Sequence, residues 1–316
     1  MKIKKDYMNV YYEIPENKGR FVSPVVTIGN FDGVHLGHRQ ILITLKKRAE
    51  HYSGTPFVVT FRNHPRTVIY PGATCRMITT VEEKQRYIFE SGIENIIMLD
   101  FTKEFSQLSA REFYNDLLIE KLGVKEIVIG YDHAFGKNRE GNIDFLNKLS
   151  SETGVPITRV REETVGNEII SSTVLRKEID CGNMLQVENL LGRHYTLTGT
   201  VVKGEGRGKD LGFPTANIQP DHEDKMIPAY GVYAVKVFIN NAVFNGMLNI
   251  GNNPTFSAKS RTIEVNILDF KNDLYGEKIT IEFIQRVRDE IKFESPKDLI
   301  EQIQKDEAQV RAILKQ

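Results

Sequence analysis

The sequence predicts two domains: an N-terminal α/β domain with a doubly wound parallel sheet, and a C-terminal small antiparallel β-barrel closed by a helix. The first observation is length, because 316 residues exceed most single hydrophobic cores. The second is that short apolar runs alternate with helix-like segments through the first half of the chain. The third is a change near residues 181–183, after which short strand-like runs and turns dominate. We place the domains at residues 1–185 and 186–316.

Apolar runs in the first half predict buried strands of one sheet. They lie at residues 24–28, 56–61, 95–99 and 126–130. Segments with helical periodicity lie between them, at residues 39–52, 82–91 and 110–122. Gly92 is expected to end the second of these helices. Strands that alternate with helices form right-handed βαβ units, in which ligands bind at the carboxyl ends of the strands.

The second half shows strand-like runs after a helical stretch that reaches Leu191. The runs lie at residues 195–202, 231–239, 243–250, 262–270 and 278–283. Their short spacing and the turns between them predict a small antiparallel barrel. Ser295, Pro296 and Asp298 then provide an N-cap, a first-turn proline and an acidic third position. The sparse apolar stripe that follows predicts one closing helix; it consists of Leu299, Ile303, Val310 and Leu314.

Composition argues for small-molecule chemistry in a reducing compartment. The 42 basic and 42 acidic residues balance to a formal net charge of zero, so nothing favours a nucleic-acid or membrane partner. Cys75 and Cys181 form no CxxC pair, and we expect reduced thiols. No apolar run approaches the roughly 18 residues of a membrane span. We therefore expect a cytoplasmic protein that is a monomer or a weak homo-oligomer.

The first motif of chemical interest leads from the first predicted strand into a helix. Residues 27–38 read TIGNFDGVHLGH. Glycines let the backbone approach a ligand closely, and the start of a helix offers free N–H groups to phosphate. His35 and His38 can donate hydrogen bonds to a phosphate group that gains charge during nucleotidyl transfer. The alternative is a tight glycine turn with surface histidines, but the position after a strand favours the nucleotide site.

The second motif is a glycine-rich segment at residues 203–217, which read KGEGRGKDLGFPTAN. Its N–H groups can surround phosphates. The segment is neither a Walker A loop nor a dinucleotide fingerprint, and a glycine-rich loop alone could be an ordinary surface turn. Glu264 lies in a strand-like run and alternates with Ile263 and Val265, so periodicity alone predicts a solvent-facing residue.

Several segments together resemble the bifunctional prokaryotic riboflavin kinase/FAD synthetase family. GNFDGVHLGH resembles its HxGH nucleotidyltransferase signature, and GxGRGxxLGFPTAN resembles its riboflavin kinase signature. Further similar segments are residues 59–66 (VTFRNHPR), 130–142 (GYDHAFGKNREGN), 170–176 (ISSTVLR), 249–256 (NIGNNPTF), 261–266 (RTIEVN) and 286–293 (RVRDEIKF). The resemblance covers nearly the whole chain. It implies a Rossmann-like nucleotidyltransferase domain followed by a riboflavin kinase barrel.

The resemblance implies a set of residues for adenylyl transfer in the first domain. Catalytic residues would be His35, His38 and Arg176. Further ATP-binding residues would be Gly29, Asn30, Phe31, Asp32, Gly33, Ser171, Ser172 and Thr173. The flavin would contact His64, Pro65, Asp132 and Phe135.

The resemblance likewise implies a set of residues for phosphoryl transfer in the barrel. ATP would contact Gly204, Gly206, Arg207, Gly208, Gly212, Phe213 and Pro214. Thr215 and Asn217 would hold Mg²⁺, whose preference is for oxygen ligands, and Glu264 would be the general base. Arg286 and Arg288 would contact the flavin.

The implied function is the phosphorylation of riboflavin to FMN and the adenylylation of FMN to FAD, with ATP, riboflavin and FMN as substrates. Some positions depart from the family pattern: Arg62 and Asn63 replace a Glu-Pro pair, His133 follows Tyr131 and Asp132, and Asn266 replaces a frequent histidine. One alternative is that only one activity is efficient, adenylyl transfer being the weaker. The other is a flavin- or nucleotide-sensing regulator on the same fold.

Overall fold

The computed structural model describes residues 8–70, 72, 75–137, 140–166, 168–204, 212–252 and 261–315. The chain divides into two compact units, Met1–Ser172 and Thr173–Gln316. The predicted domain boundary after residue 185 falls inside a helix of the second unit, Met184–Leu191.

The first unit contains a six-stranded sheet in which every neighbouring pair is parallel. Its strands are β1 (Asn9–Tyr11), β2 (Val25–Ile28), β3 (Pro56–Phe61), β4 (Asn95–Leu99), β5 (Glu126–Ile129) and β6 (Ile157–Arg159). Their order across the sheet is β1-β4-β3-β2-β5-β6. The order reverses around β2, which confirms the predicted doubly wound sheet. A two-stranded hairpin of β7 (Thr164–Val165) and β8 (Glu168–Ile169) lies outside it.

Helices connect these strands. They are α1 (Leu36–His51), α2 (Pro65–Ile69), α3 (Val81–Glu90), a wide π-type helix (Glu112–Lys121) and α4 (Ile143–Thr153). The start of α3 is a capping box, in which Thr80 and Glu83 each bind the other's backbone N–H. After α3 the chain turns at Gly92 with φ +86°, as the sequence predicts.

The sheet is buried on both faces, as its continuous apolar strands require. Along β3, Phe57, Val59 and Phe61 belong to one hydrophobic cluster, whereas Val58 belongs to the other. Successive side chains of a strand point to opposite faces, so one short run supplies both clusters. This packing fixes the carboxyl edge of the sheet, where the first candidate site lies.

The second unit is a closed six-stranded antiparallel barrel with helices, as predicted. Its strands are β9 (Tyr195–Val202), β10 (Ala216–Pro220), β11 (Gly231–Ile239), β12 (Ala242–Asn252), β13 (Arg261–Ile267) and β14 (Lys278–Arg288). The barrel follows α5 (Ser172–Cys181) and α6 (Met184–Leu191). The order β10-β13-β12-β11-β14-β9 closes because β9 also pairs with β10. Closure leaves no exposed sheet edge.

The C-terminal helix (Pro296–Ile313) packs on the barrel as the sequence predicts. Ser295 caps it by accepting a hydrogen bond from the Asp298 backbone N–H at 3.2 Å. Val310 is fully buried and belongs to a cluster with Val232 of β11 and Met247 of β12. Within the described residues, no helix combines the length and apolar character needed to cross a membrane.

Candidate active sites

The turn between β2 and α1 is strained and tightly packed. Phe31 and Val34 have φ values of +49° and +39°, which non-glycine residues seldom adopt, and Gly33 has φ +89°. Phe31 is 1% exposed and Val34 is fully buried, so packing holds the backbone in this conformation. Such over-determined strain is typical of functional sites. Gly29 lies against the Phe31 ring, which a β-carbon there would approach at 3.1 Å.

The side chain of Asp32 stabilises the turn through hydrogen bonds. Its buried carboxylate accepts hydrogen bonds from the backbone N–H groups of Ile78 and Thr79, each at 3.0 Å, and from the Thr79 hydroxyl at 3.2 Å. The same hydroxyl accepts the Gly33 N–H at 3.0 Å. The structure therefore engages the side chain of Asp32 inside the protein.

The two histidines lie at the start of α1 with their rings stacked. Their centroids are 3.7 Å apart at an interplanar angle of 17°. His35 caps the helix, because its Nδ1 accepts the backbone N–H of His38 at 3.3 Å. In neutral His35 the proton therefore lies on Nε2, which can donate a hydrogen bond. Gly37 permits this arrangement, since a β-carbon there would lie 3.2 Å from the His35 ring.

Two hydroxyl groups fix the backbone of the turn from outside. Thr60, in β3, donates to the Asn30 carbonyl at 3.0 Å, and Ser172 donates to the Asp32 carbonyl at 2.9 Å. Ser172 is thereby brought to the HxGH turn, and the neighbouring Ser171 is half-buried. Thr173 and Arg176 continue along α5 in the second unit, Thr173 exposed and Arg176 half-buried.

On the predicted flavin side, the two departing residues join the ends of β3 and β4. Asn63 donates to the Phe101 carbonyl at 2.8 Å and accepts the Phe101 N–H at 2.9 Å. Arg62 makes a bidentate ion pair with Asp100. His64 caps the following helix by accepting the N–H of Arg66 at 3.2 Å. Pro65 is the first residue of that helix.

Phe135 belongs to an aromatic cluster at the same edge. Its ring lies 4.1 Å from that of Phe113 and is parallel to that of Phe61 at 6.2 Å. Next to it, Tyr114 hydrogen-bonds His133 Nε2. Burial raises the pKa of the Tyr114 phenol, so the phenol stays protonated at neutral pH. Asp132 is exposed.

In the barrel, three polar residues lie side by side on adjacent strands. Asn217 of β10 is opposite Glu264 of β13, and Glu264 is opposite Asn249 of β12. Opposed residues of antiparallel strands share a face of the sheet, so the three form one row. The Thr215 hydroxyl donates to Glu264 Oε2 at 3.2 Å. The structure thus brings Thr215, Asn217 and Glu264 together, and Asn249 lies beside them.

Backbone contacts hold this row in position. Asn266 is buried and donates to the Pro214 carbonyl at 2.7 Å, which anchors the turn before β10. Gly204 lies against the Asn217 amide, because a β-carbon at residue 204 would be 2.0 Å from Asn217 Nδ2. Gly212 follows with φ +86°, and Phe213 is half-buried. The predicted ATP-binding residues Gly206, Arg207 and Gly208 lie outside the described residues.

Arg286 and Arg288, predicted to contact flavin, are engaged within the second unit. Arg288 Nε donates to both carboxylate oxygens of Asp306, at 3.0 and 2.9 Å, and so joins β14 to the C-terminal helix. Arg286 donates to the carbonyls of Tyr230 and Cys181. These contacts give both arginines a structural role.

Comparison with protein families divides the chain in the same way as its architecture. Residues 20–174 match the FAD synthetase family, and residues 191–314 match the riboflavin kinase family. The two matches cover the parallel-sheet turn and the barrel row respectively.

Curated relatives named bifunctional riboflavin kinase/FMN adenylyltransferase match most of the chain. The protein from Listeria monocytogenes is 37% identical over 305 residues, which cover 96% of both chains. That from Escherichia coli is 36% identical over 288 residues, or 91% of both chains. That from Bacillus subtilis is 38% identical over 287 residues, covering 89% of this chain and 90% of the relative.

One solved structure also matches over nearly the full length. It is a crystal structure described as a macrolide-efflux protein from Streptococcus pneumoniae, with a TM-score of 0.86 and 32% sequence identity. The match covers 95% of this chain and 99% of that one. The description as an efflux protein applies to that structure. Both units of the present chain match families of flavin-nucleotide enzymes.

Proposed function

Since the chain belongs to the family of bifunctional riboflavin kinase/FMN adenylyltransferases, we propose that the barrel carries the kinase reaction and the parallel-sheet unit the adenylyl transfer. The chain phosphorylates riboflavin to FMN with ATP and adenylylates FMN to FAD with release of pyrophosphate. The observation that carries this conclusion is the presence of both enzyme domains in one chain. Cytoplasmic location and a monomeric or weakly oligomeric state stay predictions.

In the kinase reaction, we assign Glu264 as the general base. A hydroxyl of riboflavin attacks the γ-phosphate of ATP, and a nearby carboxylate orients the hydroxyl and accepts its proton. The hydrogen bond from Thr215 to Glu264 Oε2 fixes one carboxylate oxygen at 3.2 Å, and we assign Oε1 to the substrate hydroxyl. The flanking amides of Asn217 and Asn249 supply polar groups on both sides of this carboxylate.

The same row fits Mg²⁺. Thr215 and Asn217 offer a hydroxyl and an amide oxygen beside the Glu264 carboxylate, and hard oxygen donors of this kind suit Mg²⁺. Within the part of the chain that the structure describes, no three His, Cys, Asp or Glu side chains are grouped to hold a metal ion. Mg²⁺ bound here would take phosphate oxygens and water for its other ligands, and would neutralise charge on the transferred phosphate.

Chelation of divalent metal is expected to lower both FMN and FAD formation by on the order of 100-fold or more, because each reaction develops charge on phosphate. The rates are measured by separating riboflavin, FMN and FAD after incubation with excess chelator. Readdition of Mg²⁺ should restore them. A rate insensitive to the chelator would remove the metal from the mechanism.

Substitution Gly204→Ala is expected to lower FMN formation on the order of 100-fold, since a ligand displaced by about 1 Å can cost that much. Its β-carbon would lie 2.0 Å from Asn217 Nδ2 and would displace that side chain. FAD formation from supplied FMN, measured on the same preparation, is the control and should not change. Normal kinase activity in Gly204→Ala would contradict the proposed role of Asn217.

In adenylyl transfer, a phosphate oxygen of FMN attacks the α-phosphate of ATP and pyrophosphate leaves. We assign stabilisation of the developing charge to Nε2 of His35, to His38 and to backbone N–H groups at the start of α1. Ser171, Ser172, Thr173 and Arg176 remain proposed phosphate ligands.

For the flavin of FMN, we propose the edge that contains Phe135, with His64, Pro65 and Asp132 as neighbouring contacts. Aromatic rings provide a flat apolar surface for the isoalloxazine system. Arg62 and Asn63 depart from the family pattern, yet both act as ties between β3 and β4. This supports a formed flavin edge despite the departures.

The proposed function is tested by incubating the purified chain with riboflavin, ATP and Mg²⁺ and separating the flavins over time. FMN should appear first and FAD after it. Accumulation of FMN without FAD would support the kinase activity and refute adenylyl transfer. Unchanged riboflavin would refute both activities.

A further inference from the structure

Tyr114 is a core residue whose hydroxyl reaches the segment that is proposed to contact flavin. It is fully buried in the π-type helix, and its hydroxyl is hydrogen-bonded to Nε2 of the half-buried His133. His133 is one of the positions at which the chain departs from the family pattern. Helical turns of the π type are rare and occur frequently at functional sites. The contact therefore calls for an explanation beyond the packing of the core.

Two hydrogen bonds hold the residues on either side of Asp132. On one side, Arg159 Nε donates to the Tyr131 carbonyl at 3.1 Å. On the other side, the Tyr114 hydroxyl holds the imidazole of His133. Asp132 itself is exposed. A residue proposed to contact flavin is thus placed between two neighbours that are each tied to the body of the first unit.

The same π-type helix also fixes Phe135, the aromatic residue of the proposed flavin edge. Phe113 precedes Tyr114 in the helix, and its ring centroid lies 4.1 Å from that of Phe135. The Gly141 N–H donates to the Phe135 carbonyl at 2.7 Å. A β-carbon at Gly141 would lie 3.2 Å from the Tyr114 ring, so this segment packs directly on Tyr114. Consecutive residues of one helix therefore contact the segment at two points.

We propose that Tyr114 is a positioning residue for adenylyl transfer, which acts through His133 to hold Asp132 and Phe135 where they contact the flavin of FMN. The inference rests on the proposed function of the first unit and on its proposed flavin edge. A site whose contacts are fixed before the ligand arrives binds more tightly, because less conformational entropy is lost on binding. The hydrogen bond between Tyr114 and His133 supplies this order without touching the ligand.

The test is the substitution Tyr114→Phe, with FAD synthesis measured over a range of FMN concentrations at saturating ATP. Phenylalanine keeps the buried ring and removes only the hydroxyl. The KM for FMN should rise about fivefold, the usual effect of losing one hydrogen bond, while kcat and the KM for ATP keep their natural values. A raised KM with an unchanged kcat reports lost binding and not lost stabilisation of the transition state.

A double-mutant cycle with His133→Ala separates this role from a purely structural one. Alanine removes every contact of the imidazole, so His133→Ala should raise the KM for FMN at least as much as Tyr114→Phe does. If Tyr114 acts through His133, its substitution has no further effect once the imidazole is gone. The double variant should then match His133→Ala alone. A tyrosine that served only the core would instead multiply the two effects and lower kcat as well.

The matched control is Tyr87→Phe. Tyr87 is another buried tyrosine of the first unit, and its hydroxyl accepts a hydrogen bond from Arg86 at 3.0 Å. Its ring belongs to the hydrophobic cluster on the opposite face of the sheet from Tyr114. Tyr87→Phe should therefore leave the KM for FMN unchanged.

Three results would overturn the inference. They are a natural KM for FMN in Tyr114→Phe, effects of Tyr114→Phe and His133→Ala that multiply, and an equal rise of the KM in Tyr87→Phe. Loss of cooperative thermal unfolding of the first unit in Tyr114→Phe would assign that hydroxyl to stability and would overturn it too.

The same assay separates this inference from the function on which it rests. If the natural chain forms no FAD, the proposed adenylyl transfer fails. If the natural chain forms FAD and Tyr114→Phe behaves like it, the role of Tyr114 alone is rejected. FMN formation by each variant should stay at the natural rate, because Tyr87, Tyr114 and His133 lie in the first unit.

Discussion

Substitution Glu264→Ala is expected to lower the conversion of riboflavin to FMN by about 10²- to 10⁴-fold, the usual contribution of a general base. Glu264 is the carboxylate in the row formed with Asn217 and Asn249, and Thr215 holds one of its oxygens. Its loss removes the group that accepts the proton of the attacking hydroxyl. The rate is measured as FMN formed over time, after chromatographic separation of the flavins.

Two controls separate this loss from misfolding. FAD formation from supplied FMN should remain, because it belongs to the other unit. Glu264→Gln keeps the size of the side chain and should be nearly as inactive as alanine in FMN formation. If either variant makes FMN at close to the natural rate, Glu264 is not the base.

Substitution His38→Ala is expected to have the converse effect, with FAD formation from FMN lowered on the order of 10²- to 10³-fold and FMN formation unchanged. His38 provides a donor at the start of α1, and its ring supports that of His35 at a centroid distance of 3.7 Å. The measurement is the initial rate of FAD formation at saturating ATP and FMN.

The matched control is His51→Ala, because His51 is exposed in the last turn of the same helix. It should support FAD formation at the natural rate. FAD synthesis that survives His38→Ala would show that the stacked pair does not stabilise the α-phosphate.

The architecture followed from the sequence where the hydrophobic pattern is strong. The runs that form β2 to β5 are apolar on both faces. A parallel sheet that is covered by helices on each side is the arrangement that buries both faces of such strands. The short edge strands β1 and β6 went unpredicted because each has only three residues, none of them buried. The strand β10 was hidden because its first residues belong to the PTAN motif, which resembles a turn.

The sites could be predicted where a motif is local, and not where partners are distant in sequence. His35, His38, Thr215 and Asn217 lie within continuous signatures. By contrast, the hydrogen bond from the Ile78 N–H to the Asp32 carboxylate joins residues that are 46 positions apart. The structural role of that carboxylate could therefore be recognised only from the fold. The period-2 pattern of β13 predicts that Glu264 faces outward. Only the register with β10 and β12 shows that its neighbours are the polar residues Asn217 and Asn249.

Asn249 and Lys84 show two further limits. Asn249 lies in the segment NIGNNPTF, which could be singled out because it resembles a family motif. Its position opposite Glu264 could not be predicted, because it depends on the register of the barrel strands. Lys84 gives no signal in the sequence, since a lysine in an amphipathic helix is normally solvated. In α3, however, Lys84 is buried, and its Nζ donates to the Phe61 carbonyl at the end of β3.

The central claim is that the barrel transfers the outermost phosphate of ATP to riboflavin and the parallel-sheet unit transfers the innermost one, as AMP, to FMN. The most direct test is to supply riboflavin with ATP labelled at either the γ- or the α-phosphate and to follow the label into FMN and FAD. The account predicts that γ-label enters FMN and is carried into FAD, whereas α-label appears in FAD and never in FMN. Alpha label in FMN, or γ-label absent from both flavins, would contradict it.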